Sequence, residues 1–177
     1  PWARWLVWDG RRWVTDTTGE VERRGKATVA SIYAEAARCG DEDRRKELAR
    51  HAIHSEAASR LAAMVTLAAS EPGVPVLPDD LDALPLAFNC ESGTLEGPAM
   101  SLREHRRGDL ITRIAGASYD GEAQCPLWLA FLDRVMDGNE RLVGFLQRAV
   151  GYSLTGDTSE RCMFILHGKG KNGKTTF

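Results

Sequence analysis

The chain has 177 residues, of which 43% are hydrophobic and 27% charged, with a formal net charge of −2. That length suits one domain plus the edge of another. No apolar run approaches the roughly 20 residues of a membrane span, and the near-neutral charge gives no global argument for nucleic-acid binding, so a membrane role has no support and a DNA partner must be argued from local features.

In chain order, Trp2 to Trp8 and Arg11 to Thr15 flank Asp9-Gly10, the strongest short signal for a β-hairpin. Alternation sets Trp5 and Val7 on one face and Leu6 and Trp8 on the other. Four tryptophans within thirteen residues suit either a base-stacking platform or packing on the helices, and packing is the commoner role. From Lys26 to Cys39, Val29, Ile32, Tyr33, Ala36 and Ala37 recur at helical spacing, with Gly40 as a stop and Asp41 as the next start. A longer helix is predicted from about Asp43 to Ser70, with Leu48, Ala52, Leu61, Val65 and Ala68 inward and Arg44, Arg45, Lys46, Glu47 and Arg50 on a solvated face. His51 and His54 lie three apart on that helix, but with no third ligand near they read as a solvated pair.

Pro72, Pro75, Pro78 and Pro85 mark an irregular surface linker. Leu86 to Cys90 and Thr94-Leu95 read as short strands about a Ser92-Gly93 turn, and Ser101 to His105 and Leu110 to Ile114 as further strands. Arg103, His105, Arg106 and Arg107 are the densest basic patch, either a phosphate contact or a charged strand edge. Pro126 suits a first helical turn, with Leu127, Phe131, Leu132 and Val135 as the inward stripe. Asp137-Gly138-Asn139 breaks that helix, and the next points Leu142, Phe145, Leu146, Ala149 and Val150 inward. Cys39, Cys90, Cys125 and Cys162 are isolated, which predicts free, buried thiols in a reducing cytoplasm.

The strongest chemical signal comes last. Met163 to Leu166 is an apolar run that reads as a buried strand, and Gly168 with Gly173-Lys174-Thr175 completes the pattern G-x-x-x-x-G-K-[ST]. Glycines at Gly168, Gly170 and Gly173 let the backbone fold around phosphate oxygens, so that the N–H groups of Gly168, Lys169, Gly170, Lys171, Asn172 and Gly173 form an anion nest. In such a loop Lys174 reaches the β- and γ-phosphates and acts as the catalytic cation, and the Thr175 hydroxyl goes to Mg²⁺. The predicted ligands are therefore ATP and Mg²⁺. The chain opens at Pro1 without an initiator Met and carries only Thr176 and Phe177 after Thr175, so it reads as a piece of a longer protein.

Several segments together resemble one family, the D-five-like N-terminal domain and helicase start of phage and plasmid primase-helicases, related to poxvirus primase-helicase. The residues are Trp8-Asp-Gly-Arg-Arg-Trp13, Leu86-Ala-Phe-Asn89 with Gly93-Thr-Leu95, Asp109-Leu-Ile-Thr112, Tyr119-Asp120, Cys125-Pro126 with Trp128 and Phe131-Leu132, Phe145-Leu-Gln147, Gly151-Tyr-Ser-Leu-Thr-Gly156 and the phosphate loop. Where the family often has Asn-Gly, this chain has Glu91-Ser92-Gly93. The resemblance implies an α+β, mainly α-helical accessory domain over residues 1–157, with an N-terminal hairpin and short strands. Residues 158–177 would be the first strand and phosphate loop of an α/β P-loop ATPase of superfamily-three helicase type.

It also implies DNA, single-stranded or forked, as partner, a primase domain upstream, a homo-hexamer when intact, no membrane, and the cytoplasm of a bacterial cell or phage-infected host. The implied function is ATP-dependent DNA unwinding in phage, prophage or plasmid replication. The alternatives are a non-catalytic DNA-binding or assembly module linking primase and helicase, and, less favoured, an unrelated P-loop kinase. The acidic metal-holding strand, sensor residue and trans-acting arginine of such a motor are not among these residues, so this stretch alone is expected to bind ATP poorly and to be inactive.

Overall fold

The computed structural model describes residues 4–168, 170, 173 and 175–177. The chain divides into two compact units, Pro1–Leu81 with Leu110–Thr112, and Asp82–Asp109 with Arg113–Phe177. Helices and two small antiparallel sheets share the described residues, none of whose helices is long and apolar enough to cross a membrane.

In the first unit, β1 (Leu6–Trp8) pairs antiparallel with β2 (Trp13–Thr15), with Trp8 opposite Trp13 and Leu6 opposite Thr15. The connection is four residues rather than Asp9-Gly10 alone. The Asp9 carboxylate accepts the N–H groups of Arg11 and Arg12 at 2.8 and 2.9 Å, and Gly10 takes φ 102°, so the aspartate organises the loop and glycine supplies its left-handed residue. The hairpin is anchored where Trp13 N–H donates to the Ile111 carbonyl at 2.8 Å and Arg12 Nη1 to the Thr112 carbonyl at 3.4 Å.

Helix α1 (Glu20–Arg38) starts six residues before the expected Lys26. Asp16 is the reason: its carboxylate accepts the N–H groups of Thr18, Glu20 and Val21 at 3.1, 2.9 and 2.9 Å, satisfying first-turn donors that otherwise have no partner. Those bonds, from Val21 first and Glu20 next, hold the Asp16 carboxyl down at about 2. Val29 and Ala36 lie inward as the periodicity requires, whereas Ala37 is exposed.

The single helix expected from Asp43 to Ser70 is two. Helix α2 (Glu42–Ser55) is capped by Asp41, which accepts Arg44 N–H at 2.9 Å, and α3 (Ala58–Ala68) starts after an extended Ala57 with ψ 131°. A continuous helix of that span would run about 42 Å and carry its second half away from its partner. With the break, both α2 and α3 pack on α1. Gly25 of α1 is the close point: a Cβ there would sit 3.1 Å from Met64 Cε and 3.7 Å from Val65 Cγ2 of α3. Leu48 and Ala52 of α2 are buried in this core.

In the second unit, β3 (Ala87–Cys90), β4 (Gly93–Glu96) and β5 (Ser101–Arg103) form an antiparallel sheet in chain order. Cys90 pairs with Gly93, so the turn is Glu91-Ser92 and Gly93 belongs to the strand. Gly93 has φ 152°, and a Cβ there would overlap the Arg103 carbonyl oxygen. Leu110 to Ile114 is not a strand: Ile111 is buried as a single coil residue, and only Ala115 bridges to Cys90. Helix α4 (Pro126–Val135) opens on its proline, Asn139 caps α5 (Glu140–Ser153) through Leu142 N–H, and the two helices pack together. Leu132 and Leu146 are their buried residues, while Leu127, expected inward, is 88% exposed, and Leu142, Phe145 and Val150, also expected inward, are exposed.

Met163 to Leu166, expected as a buried strand, is coil with all four side chains exposed. A strand needs neighbours to take its N–H and C=O groups, and no described residue pairs with this run. The thiols depart from expectation too, since Cys90 alone is buried, Cys39 is half-buried, and Cys125 and Cys162 are exposed.

Candidate functional site

Of the phosphate-loop residues, Gly168, Gly170, Gly173 and Thr175 are described; Lys169, Lys171, Asn172 and Lys174 lie outside the described residues. Gly170 and Gly173 adopt φ 93° and 79°, the backbone region that lets successive N–H groups turn toward one anion. Gly173 has a packing constraint as well, because a Cβ there would come within 3.0 Å of the Phe131 ring and 2.9 Å of Val135 Cγ1 on α4. Its carbonyl accepts the N–H groups of Thr176 and Phe177 at 3.0 and 2.9 Å, a single helical turn. Phe177 stacks on Trp128 at 5.6 Å, and Trp128 on Phe131 at 5.4 Å. Thr175 is exposed. The described loop residues are thus compatible with phosphate and Mg²⁺, although the preceding strand is not formed.

The basic patch resolves into residues of different character. Arg103 donates from Nε to Glu96 and from Nη1 to Asp109 at 2.8 Å, and its side chain is only 13% exposed. The hydrogen bond from Arg103 holds the Glu96 carboxyl below its ordinary range, and Glu96 in turn raises the guanidinium. Two carboxylates compensate this cation, so Arg103 is an internal tie across β4, β5 and the following turn rather than a phosphate contact. Its Nη2 is buried and, among the described residues, has no hydrogen-bond acceptor. His105 contacts the Cys90 carbonyl through Nε2 at 2.9 Å, which makes it a sheet-edge tie as well. Arg106 and Arg107 remain exposed.

A buried polar pair that spacing does not reveal lies beside this cluster. Thr94 Oγ1 donates to Asn89 Oδ1 at 2.9 Å, and Asn89 Nδ2 donates to the Arg113 carbonyl at 2.9 Å. Both residues are at most 7% exposed. Nearby, burial would push the Cys90 thiol up, but hydrogen bonding with Ser92 and from neighbouring backbone groups brings it below its ordinary range. Asn89, Gly93 and Thr94, which carry part of the family resemblance, therefore serve hairpin geometry and polar satisfaction. Their sequence signal is a polar residue opposite a polar residue in register, legible only once the pairing is known.

His51 and His54 sit on the exposed side of α2, and no group of three or more metal-ligating side chains occurs among the described residues. The hairpin brings Trp8 and Trp13 together edge to face at 6.0 Å, both half-buried, beside the exposed Arg11.

The family described as "D5 N terminal like" matches residues 2–137. The match takes in the hairpin, α1 to α3, the three-stranded sheet and α4, and ends before α5 and the phosphate loop. No curated protein matches the chain, and no solved structure does.

Proposed function

Since the chain belongs to the D5 N terminal like family, a domain that suggests the N-terminal part of a primase-helicase-like protein, we propose that it serves ATP-dependent DNA unwinding in phage, prophage or plasmid replication. Residues 1–157 act as the accessory domain, and residues 158–177 open a P-loop motor. The observation that supports this reading is order along one chain: a family domain over residues 2–137, followed by a complete G-x-x-x-x-G-K-[ST] loop at Gly168 to Thr175.

In this reading the loop's backbone N–H groups hold the phosphates of ATP, Lys174 offsets charge at the β- and γ-oxygens, and Thr175 offers its hydroxyl to Mg²⁺. The metal supplies charge neutralisation at the transferred phosphoryl group. The working form is a homo-hexamer on single-stranded or forked DNA, with a primase domain as neighbour, in the cytoplasm of a bacterial cell or infected host. The kinase reading is disfavoured because the family match over residues 2–137 precedes the loop.

A second reading has its own support, because the matched residues exclude the loop. By themselves they act as a DNA-binding or assembly module without chemistry. Assays on the protein as it is encoded test both. Hydrolysis of ATP stimulated by single-stranded DNA, with unwinding of a forked duplex, is expected, both lost in Lys174→Ala at unchanged circular dichroism. Unwinding that survives Lys174→Ala, or phosphate transfer to a small molecule independent of DNA, overturns the motor reading.

A further inference from the structure

Helix α3 is apolar in composition yet poorly covered. Arg60 is the only charged residue in Ala58–Ala68, and none of the eleven is buried. Leu61, Met64 and Val65 are half-buried where they approach Gly25 of α1, whereas Ala62, Ala63, Thr66 and Leu67 are exposed, Leu67 to 66%. The neighbouring α2 differs, because exposed Arg44, Arg45, Lys46, Glu47 and Arg50 give it an outer side suited to water. A helix with apolar residues all round is ordinarily enclosed, and this flank of α3 is open.

Arg60, Ala63, Met64, Leu67, Ala68 and Glu71 border one open depression on that flank. The chain keeps turning past Ala68, with Ser70 N–H donating to the Leu67 carbonyl at 3.0 Å and Glu71 N–H to the Ala68 carbonyl at 3.2 Å. Eleven residues are close to three turns, so Arg60 and Glu71 stand on the same side of the helix, one charge at each end of the apolar stretch. Neither forms an ion pair among the described residues.

This pattern is complementary to its own reverse. A two-fold axis between Val65 and Thr66 sets Arg60 opposite Glu71 of a second copy, Met64 opposite Leu67 and Ala63 opposite Ala68, so that opposite charges, large side chains and small side chains meet in kind. A parallel alignment instead sets Arg60 against Arg60 and Glu71 against Glu71. We propose that this flank of α3 is a two-fold contact with a second copy of the chain, the helices antiparallel. It goes beyond the ring reading, since a ring closes through head-to-tail contacts between unlike surfaces, whereas this contact uses the same surface twice. Three turns of helix are a small contact beside the roughly 1,600 Å² of a standard interface, so the dissociation constant is expected between micromolar and millimolar.

The test is sedimentation equilibrium of the 177-residue chain, without nucleotide or DNA, from micromolar concentration to about 1 mM. A monomer–dimer equilibrium is expected for wild type and a monomer throughout for Leu67→Asp, which alters an exposed side chain. Arg60→Glu alone and Glu71→Arg alone each turn two attractions into two repulsions, and each should weaken the dimer by at least roughly 2- to 30-fold, the range that two exposed ion pairs represent. An equimolar mixture of these two variants should regain the dimer, because every glutamate of one chain then faces an arginine of the other. A merely structural role of either residue does not predict that rescue. Should Leu67→Asp fail to fold, the charge mixture carries the test.

A wild type that stays monomeric to about 1 mM overturns the proposal and leaves the flank to a partner of another sequence. Dimers that persist unchanged in folded Leu67→Asp overturn it, as do single charge variants that associate like wild type or a mixture no tighter than either variant alone. Failure of the motor reading is distinguishable, because the measurement involves neither ATP, DNA nor Lys174. A two-fold dimer without unwinding retains the α3 contact and removes the helicase.

Discussion

Replacing Thr94 by Val exchanges a hydroxyl for a methyl of nearly the same volume at a position 1% exposed, so the packing of β3 and β4 is left almost unaltered. What is lost is the 2.9 Å hydrogen bond that Thr94 donates to the Asn89 side-chain carbonyl, itself in a residue 7% exposed. Leaving a buried acceptor without that donor costs about 1–3 kcal/mol, and the added methyl offsets up to about 1 kcal/mol. A net loss of about 1–2 kcal/mol is expected, which for a chain of this length lowers the melting temperature by roughly 2–8 °C.

Urea unfolding followed by circular dichroism is the check, with the midpoint expected to fall at constant m value. Thr94→Val as stable as wild type, or more so, refutes the argument. It would mean that the Asn89 carbonyl is satisfied equally well without the threonine hydroxyl.

Two further outcomes are expected. Asp16 has its folded pKa lowered from 3.8 to about 2, so its contribution is present above pH 3.8 and is lost as the pH falls toward 2. Stability measured by urea unfolding should therefore decline between about pH 4 and 2 less steeply in Asp16→Asn than in wild type, and parallel profiles would refute the cap. Gly93→Ala should cost more than about 1 kcal/mol, because the new Cβ meets the Arg103 carbonyl at a φ that L-residues avoid. A wild-type unfolding midpoint for that variant would show that β4 and β5 can part without loss.

What the sequence by itself determined is chiefly local. The Asp9-Gly10 hairpin, the Asp41 cap, the proline start of α4 and the Gly138 break each depend on residues within a few positions of one another, where backbone geometry and capping chemistry act directly. The glycine pattern from Gly168 to Gly173 is legible for the same reason, since it reports what the backbone can do. Tertiary structure decided the rest. Nothing local ends α2 at Ser55; the break lets Met64 and Val65 reach Gly25 thirty or more positions upstream. Arg103 reads as either a phosphate contact or a charged strand edge until folding sets Glu96 and Asp109 against it, and an ion pair depends on distance in space rather than along the chain. Met163 to Leu166 reads as a strand by composition, but a strand is a pairing, and only neighbouring chain segments can supply it.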